Sequence, residues 1–85
     1  MSDSCTFVIF GATGNLAQKK LLPALYHLEA AGRLPQDMRV LGVGRREWDD
    51  EAWRATVEGW LTTELRPGLD AEVFARFRAR LCFFR

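Results

Sequence analysis

The residues of this sequence best suited to chemistry lie in one short segment, FVIFGATGNLAQKKLLP at positions 7–23. An apolar run typical of a strand meets two glycines, Gly11 and Gly14, and is followed by a pattern typical of a helix. The first amides of a helix are unpaired and carry a partial positive charge, so they bind phosphates. Glycines permit a tight turn and leave room for a phosphate beside the backbone. The segment therefore predicts a phosphate-binding turn.

The glycine spacing narrows the class of site. Gly11-x-x-Gly14-x-x-Ala17 is a variant of the dinucleotide-binding pattern G-x-G-x-x-G, with Ala12 in place of the middle glycine. A glycine pair occurs in many loops, and only its position between a strand and a helix makes this one informative. The P-loop pattern G-x-x-x-x-G-K-S/T is missing from the sequence, which excludes that class of nucleotide site.

Two arginines follow the second predicted strand, RVLGVG, as Arg45 and Arg46. In NAD-specific folds this position usually carries an acid that binds the ribose hydroxyls. A guanidinium instead holds a ribose 2′-phosphate with two hydrogen bonds and can stack on adenine. With the glycine turn upstream, the pair favours NADP over NAD as the cofactor; the alternative is a pair of ordinary surface arginines.

Other polar residues near the turn give weaker signals. Thr13 can donate to a phosphate or stabilise the turn, and Asn15 can accept hydrogen bonds from the first-turn amides. Lys19 and Lys20 lie about one and a half turns into the helix, where a solvated helix face explains them equally well. His27 is flanked by Tyr26 and Leu28 without a visible partner and is interpreted as structural.

Composition limits the broad class of the protein. The chain has 85 residues, 48% hydrophobic and 27% charged, with a formal charge of +1, which is typical of a globular protein and not of a nucleic-acid binder. Residues 1–46 contain six Lys and Arg against three acids. That half can attract an anionic ligand, although an ordinary solvated surface also accounts for the charge.

The sequence also predicts the compartment. No apolar run approaches the roughly 18 residues of a membrane span, and the start, Met-Ser-Asp-Ser, lacks the basic region of a signal peptide. Cys5 and Cys82 do not form a disulfide framework and are interpreted as small buried residues. A cytoplasmic protein with no membrane or nucleic-acid partner and no metal site is expected.

Hydrophobic spacing predicts the order β-α-β-α-α-β, hence an α/β protein with a parallel sheet and the start of a Rossmann-like dinucleotide-binding fold. The first strand is continuously apolar, which is typical of a central strand covered on both faces. Pro23 is expected to kink the first helix or to make it restart near Leu22. The predicted strands cover 5–10, 39–44 and a segment within 81–85; the helices run from Gly14 to Gly32, over 47–65 and from Asp70. The predicted buried positions of the second and third helices are Trp53, Val57, Trp60 and Leu61, and Val73, Phe74, Phe77 and Leu81.

The stretches GATGNLAQKKLLPALYHLEAAGRLP and RVLGVGRREW closely resemble the N-terminal coenzyme domain of the bacterial glucose-6-phosphate dehydrogenase family. The similarity runs from about Thr6 to at least Trp53 and more loosely to Arg85, and its most specific block is Gly11 to Pro23. Asn15 stands where the family usually has Asp, which keeps the acceptor and loses the charge, and Gln18 replaces a common lysine.

The resemblance assigns roles by position. Gly11 and Gly14 match the glycines of the phosphate turn. Lys20 matches a lysine that helps to position the sugar phosphate, and Arg45 matches the arginine that holds the NADP 2′-phosphate. The expected cofactor-binding set is Gly11, Thr13, Gly14, Asn15, Leu16, Arg45 and Arg46.

The resemblance also implies an activity, and it implies that this chain contains only part of the enzyme. The family transfers a hydride from C1 of glucose 6-phosphate to NADP, in the oxidative pentose phosphate pathway, and its enzyme is several times longer than this chain. The family's substrate segment and proton-accepting histidine would lie beyond Arg85, and His27 does not match that histidine, so no catalytic residue is expected here. Residues 1–85 are thus interpreted as the N-terminal part of an NADP-binding domain, from a fragment or a truncated gene product, inactive alone and oligomeric only at full length. Another NADP-dependent reductase of the short-chain type and a non-catalytic nucleotide-binding remnant are the alternatives.

Overall fold

The computed structural model describes residues 6–65 and 69–84. The chain alternates strands with helices in the predicted order. The strands are β1 (Thr6–Phe10), β2 (Arg39–Val43) and β3 (Leu81–Phe84). The helices are a π-helical segment (Ala17–Leu21) continuous with α1 (Leu22–Ala30), then α2 (Asp50–Glu64) and α3 (Ala71–Arg78).

The three strands form one parallel sheet in the order β1-β2-β3. Val8 pairs with Leu41, which pairs in turn with Cys82, so the strands are in close register. Because parallel strands end at the same edge of a sheet, the segments after Phe10 and Val43 come together there. That edge is called the carboxyl edge below.

The first helix shows how Pro23 is accommodated. Leu22 donates its amide to the carbonyl of Ala17, one residue further back than in an α-helix, and α1 begins at Leu22. Pro23 has no amide to donate to Lys19, and the wider π turn absorbs this defect. The predicted restart near Leu22 is confirmed.

The first helix ends as the sequence predicts. Gly32 has φ +70°, and its amide donates to Glu29 while the amide of Arg33 donates to Leu28. This pair of bonds is the Schellman motif, in which glycine supplies the left-handed residue.

The second and third helices begin at aspartates. Asp49 accepts from the amide of Ala52 at 2.8 Å, and Asp70 accepts from Glu72 and Val73 at 2.9 and 3.1 Å. Both aspartates therefore act as N-caps. Pro67-Gly68, predicted to stop the second helix, lies outside the described residues, and α2 ends at Glu64.

The predicted apolar positions of these helices pack as expected, with two qualifications. Trp60 and Val73 are only half-buried, and Leu81, assigned to the third helix, is instead the first residue of β3 because α3 ends at Arg78. The buried members of the set are Trp53, Val57, Leu61, Phe74, Phe77 and Leu81.

The core lies on one face of the sheet. α1 packs against α2 and α3, because successive right-handed crossovers from β1 to β2 to β3 put their helices on the same side. On that side Ile9, Val40, Gly42 and Leu81 are buried. The other side, called the bare face below, carries half-buried or exposed residues, namely Val8, Phe10, Leu41, Val43, Cys82 and Phe84.

The cover on both faces that the sequence predicts for β1 is not seen in the described part of the chain. β1 is an edge strand and no helix of residues 6–65 or 69–84 covers its second face: Val8 is 42% and Phe10 80% exposed. The sequence pattern reports the apolar character of a strand, whereas its position depends on where the next strands are added. Cys82 is half-buried on this face, and Cys5 lies outside the described residues.

Two groups of polar contacts tie the layers together. Buried Arg80 donates to the Glu29 carboxylate and, at 2.8 Å, to the Met38 carbonyl, which joins the start of β3 to α1. Arg54 donates to the Leu81 carbonyl at 2.9 Å and to Glu51 at 3.0 Å. Hydrogen bonds from Arg54 and then from Arg78 hold the pKa of Glu51 below its usual value.

Candidate functional site

The glycine turn and the arginine loop meet at the carboxyl edge of the sheet. The amide of Ala12 donates to the Val43 carbonyl at 3.0 Å, which fixes the turn after β1 against the end of β2. The amide of Gly44 donates to the Phe84 carbonyl at 3.2 Å and joins the same point to β3. Segments far apart in sequence thus form one surface.

The geometry of the turn allows a ligand to come close to the backbone. Gly11 has φ +69°, a conformation that L-residues rarely adopt, and a Cβ built there would meet nothing within 4 Å. The amide of Gly14 donates to the Gly11 carbonyl at 2.9 Å, and the amide of Gln18 donates to Gly14 at 3.1 Å. Backbone is therefore exposed beside the first turn of the helix, where amides lack carbonyls one turn earlier.

The other residues predicted around the turn are at the surface. Asn15 is exposed, Leu16 is 65% exposed and Thr13 is half-buried. The methyl of Thr13 would lie 3.1 Å from a Cβ placed on Gly44, so it packs on the end of β2. All three are available to a ligand at the carboxyl edge.

Arg45 and Arg46 are exposed directly after β2, on the same edge as the glycine turn. Arg45 forms no ion pair with any residue of the described ranges. The Arg46 guanidinium lies over the ring of Trp48, 5.6 Å from its centroid. Two cations on the same edge of the sheet as unpaired helix amides suit an anionic group.

The two lysines behind the turn differ. Lys19 is 3.7 Å from Glu64, an ion pair that ties the π-helical segment to the end of α2. Lys20 is exposed and has no ion-pair partner in the part of the chain that the structure describes. Lys20 is thus the lysine free to contact a ligand.

Sequence reasoning missed an aromatic group beneath the arginine loop. The Trp48 ring is 5.6 Å from that of Phe83, which is 5.7 Å from Trp53. The amide of Phe83 donates to Asp50 at 2.8 Å. An aromatic residue two positions after an arginine was the available signal, but its contact with β3 joins residues 35 positions apart.

Comparison with known proteins decides the family. Residues 8–85 match the family "Glucose-6-phosphate dehydrogenase, NAD binding domain". The chain belongs to this family. The predicted resemblance is confirmed, and the family is that of a nicotinamide dinucleotide-binding domain.

Curated members of the glucose-6-phosphate dehydrogenase family align with nearly the whole chain. The glucose-6-phosphate 1-dehydrogenase of Dickeya dadantii is 45% identical over 82 residues, which is 96% of this chain and 17% of its own. That of Mycolicibacterium smegmatis is 46% identical over 82 residues, or 95% and 17%. The chain therefore spans 17% of the length of these relatives.

Solved structures of glucose-6-phosphate dehydrogenases confirm the fold class. The enzyme from Mycobacterium avium superposes with a TM-score of 0.85 at 30% identity, over 95% of this chain and 17% of that chain. A glucose-6-phosphate dehydrogenase in complex with its substrate glucose-6-phosphate gives a TM-score of 0.78 at 27% identity, over 95% and 16%. The Rossmann-like start predicted from the sequence is correct.

Within the described ranges, no helix combines the length and apolar character needed to cross a membrane.

Gly42 packs against Ala12 of the glycine turn and against Trp53, and its substitution should destabilise the fold. A Cβ there would lie 2.6 Å from the Trp53 ring and 2.9 Å from Ala12, both buried. We expect Gly42→Ala to lower the free energy of unfolding by about 1–3 kcal/mol, the usual cost of overpacking. Urea unfolding of a hybrid enzyme, in which residues 1–85 replace the matching segment of the Dickeya dadantii relative, measures this.

The matched control is Gly59→Ala. Gly59 lies inside α2 and a Cβ there meets nothing within 4 Å. Alanine is favoured over glycine in a helix by roughly 0.5–1 kcal/mol, so this variant should be more stable. If Gly59→Ala lowered the free energy of unfolding as much as Gly42→Ala, the packing argument would be contradicted.

Proposed function

We propose that this chain is the N-terminal, NADP-binding part of a glucose-6-phosphate 1-dehydrogenase, which converts glucose 6-phosphate and NADP to 6-phosphogluconolactone and NADPH. The observation that carries the proposal is the meeting of the glycine turn and the Arg45–Arg46 loop, held by the bond from Ala12 to Val43. Family membership supports the reaction, and the Dickeya dadantii relative bears that enzyme's name.

The residues present fit the dinucleotide. Gly11 is open and in a left-handed conformation, so the backbone can approach a pyrophosphate. The helix amides after Gly14 would bind the phosphate oxygens. When bound, the nicotinamide accepts the hydride; the protein contributes position and charge.

The preference for NADP over NAD is assigned to the arginine loop. Arg45 would hold the 2′-phosphate with charge-assisted hydrogen bonds, and Arg46 would add a second positive charge. An acid at the end of β2 would repel that phosphate, and here the strand is followed by two exposed arginines. Thr13, Asn15 and Leu16 would border the cofactor.

Lys20 is assigned to the substrate side of the site. Its ammonium group would attract and position the sugar phosphate near the nicotinamide. No step of proton removal from the sugar is assigned to residues 1–85, since His27 is exposed on α1 with its ring at the edge of Tyr26. The proton acceptor, substrate domain and subunit contacts of the enzyme are assigned to segments beyond this chain.

The hybrid enzyme tests the proposal directly. If residues 1–85 form the cofactor domain, the hybrid should reduce NADP when glucose 6-phosphate is added and should bind NADP more tightly than NAD. A folded hybrid that binds NADP without turnover would favour a non-catalytic remnant. A folded hybrid that binds neither cofactor would refute the assignment.

Lys20→Ala in the hybrid should lower kcat/KM for glucose 6-phosphate by about 10- to 150-fold. This is the range for a hydrogen bond between charged groups, about 1.5–3 kcal/mol. The melting temperature should barely change, because exposed substitutions usually alter stability by less than about 0.5 kcal/mol. Steady-state kinetics and a thermal melt measure both.

Lys19→Ala is the control for this variant. Lys19 has the same charge and lies next to Lys20, but it pairs with Glu64. Its loss should leave kcat/KM within about twofold. If Lys20→Ala instead destabilised the protein while its kinetics stayed normal, the lysine would be structural.

A further inference from the structure

Trp48 contacts one of the two arginines of the proposed 2′-phosphate site. The Arg46 guanidinium lies 5.6 Å from the centre of the Trp48 ring, within the range of a cation–π interaction. Trp48 is half-buried, whereas Arg46 is exposed. The arginine thus lies on a ring that is itself held by the protein.

The Trp48 ring also contacts β3. Trp48 packs on Phe83 at 5.6 Å, and Phe83 packs on Trp53, which is fully buried. The amide of Phe83 also donates to Asp50 at 2.8 Å, at the start of α2. A continuous row of three rings therefore connects the arginine loop to the core.

Such support matters for an exposed arginine. A free arginine side chain samples many rotamers, and ordering it when a ligand binds costs entropy. A side chain already held against a ring loses less conformational entropy when the ligand binds. Lys or Arg over a tryptophan also keeps its full charge for an anion on its other face.

We propose that Trp48 is a positioning residue for NADP selectivity, which holds Arg46 in place for the cofactor's 2′-phosphate through the contact of its own ring with Phe83. The inference rests on the proposed function of this site. It predicts that the aromatic ring of Trp48, and not merely its bulk, contributes to the difference in affinity between NADP and NAD.

Two replacements of Trp48 in the hybrid enzyme separate ring from bulk. Trp48→Leu keeps an apolar side chain and removes the ring, while Trp48→Phe keeps a smaller ring. Titration calorimetry should show that the Kd for NADP rises about 2- to 5-fold in the leucine variant. This factor corresponds to the free energy of an exposed cation–π contact. The phenylalanine variant should lose less affinity for NADP than the leucine variant. In both variants the Kd for NAD should change less than the Kd for NADP.

The controls address folding and mechanism. Trp60→Leu, a half-buried tryptophan of α2, should leave the ratio of the two Kd values unchanged. In an Arg46→Ala background, Trp48→Leu should have no further effect on that ratio, because the residue through which it acts is gone. Three results would each overturn the proposal. The Arg46 and Trp48 substitutions could have additive effects on the ratio of the Kd values. The Kd values for NADP and NAD could rise equally, or the Kd for NADP could rise equally in the leucine and phenylalanine variants.

Failure of this inference can be told from failure of the proposed function. If Arg45→Ala removes the NADP preference and Trp48→Leu does not, only the role of Trp48 is wrong. If Arg45→Ala leaves the preference intact, the 2′-phosphate site itself is wrong.

Discussion

Arg45→Ala in the hybrid enzyme should weaken NADP binding by about 10- to 150-fold and leave NAD binding much less affected. Arg45 is exposed after β2, beside the glycine turn, and has no ion pair within residues 6–65 and 69–84. A hydrogen bond to a charged group contributes about 1.5–3 kcal/mol, which converts to this range. Titration of each variant with both cofactors gives the two Kd values.

Arg33→Ala is the matched control. Arg33 is also exposed, but it precedes β2 and therefore lies toward the opposite edge of the sheet from Arg45. Its removal changes the net charge by the same amount, so a general electrostatic effect would appear in both variants. Equal losses of NADP and NAD affinity in Arg45→Ala would contradict a 2′-phosphate role.

The 85-residue chain alone should show no turnover and no cooperative unfolding. The bare face leaves Val8, Phe10 and Phe84 at 42%, 80% and 65% exposure. The outer edge of β1 has no partner strand in the described ranges. Parallel sheets are normally covered on both faces, and an exposed apolar edge promotes aggregation.

Three measurements on the purified chain check this expectation. Circular dichroism should show helix, calorimetry should show no sharp transition, and addition of NADP with glucose 6-phosphate should give no NADPH. Weak NADP binding at most is expected. A two-state melt would contradict the folding argument, and NADPH formation above background would contradict the catalytic one.

Much of the fold was predictable because it depends on neighbours in sequence. The caps at Asp49 and Asp70, the glycine stop at Gly32 and the restart near Pro23 are each determined within a few residues. The glycine turn could be predicted for the same reason.

The rest depends on pairs that are distant in sequence. The buried contact of Glu29 with Arg80 joins residues 51 positions apart, and nothing near either residue predicts its partner. The ring contact of Trp48 with Phe83 likewise joins residues distant in sequence. The edge position of β1 depends on the direction in which later strands are added, which hydrophobic pattern does not encode. The roles of Lys20 and Arg45 stay predictions.

The bare face has a consequence for synthesis of a longer polypeptide. Ribosomes add about 5–20 residues per second, so about 100 further residues take roughly 5–20 s. During that interval this segment would hold helical structure without a fixed core, because the bare face of its sheet has not yet been covered. Its uncovered apolar sheet surface would meanwhile be accessible to chaperones that hold nascent chains.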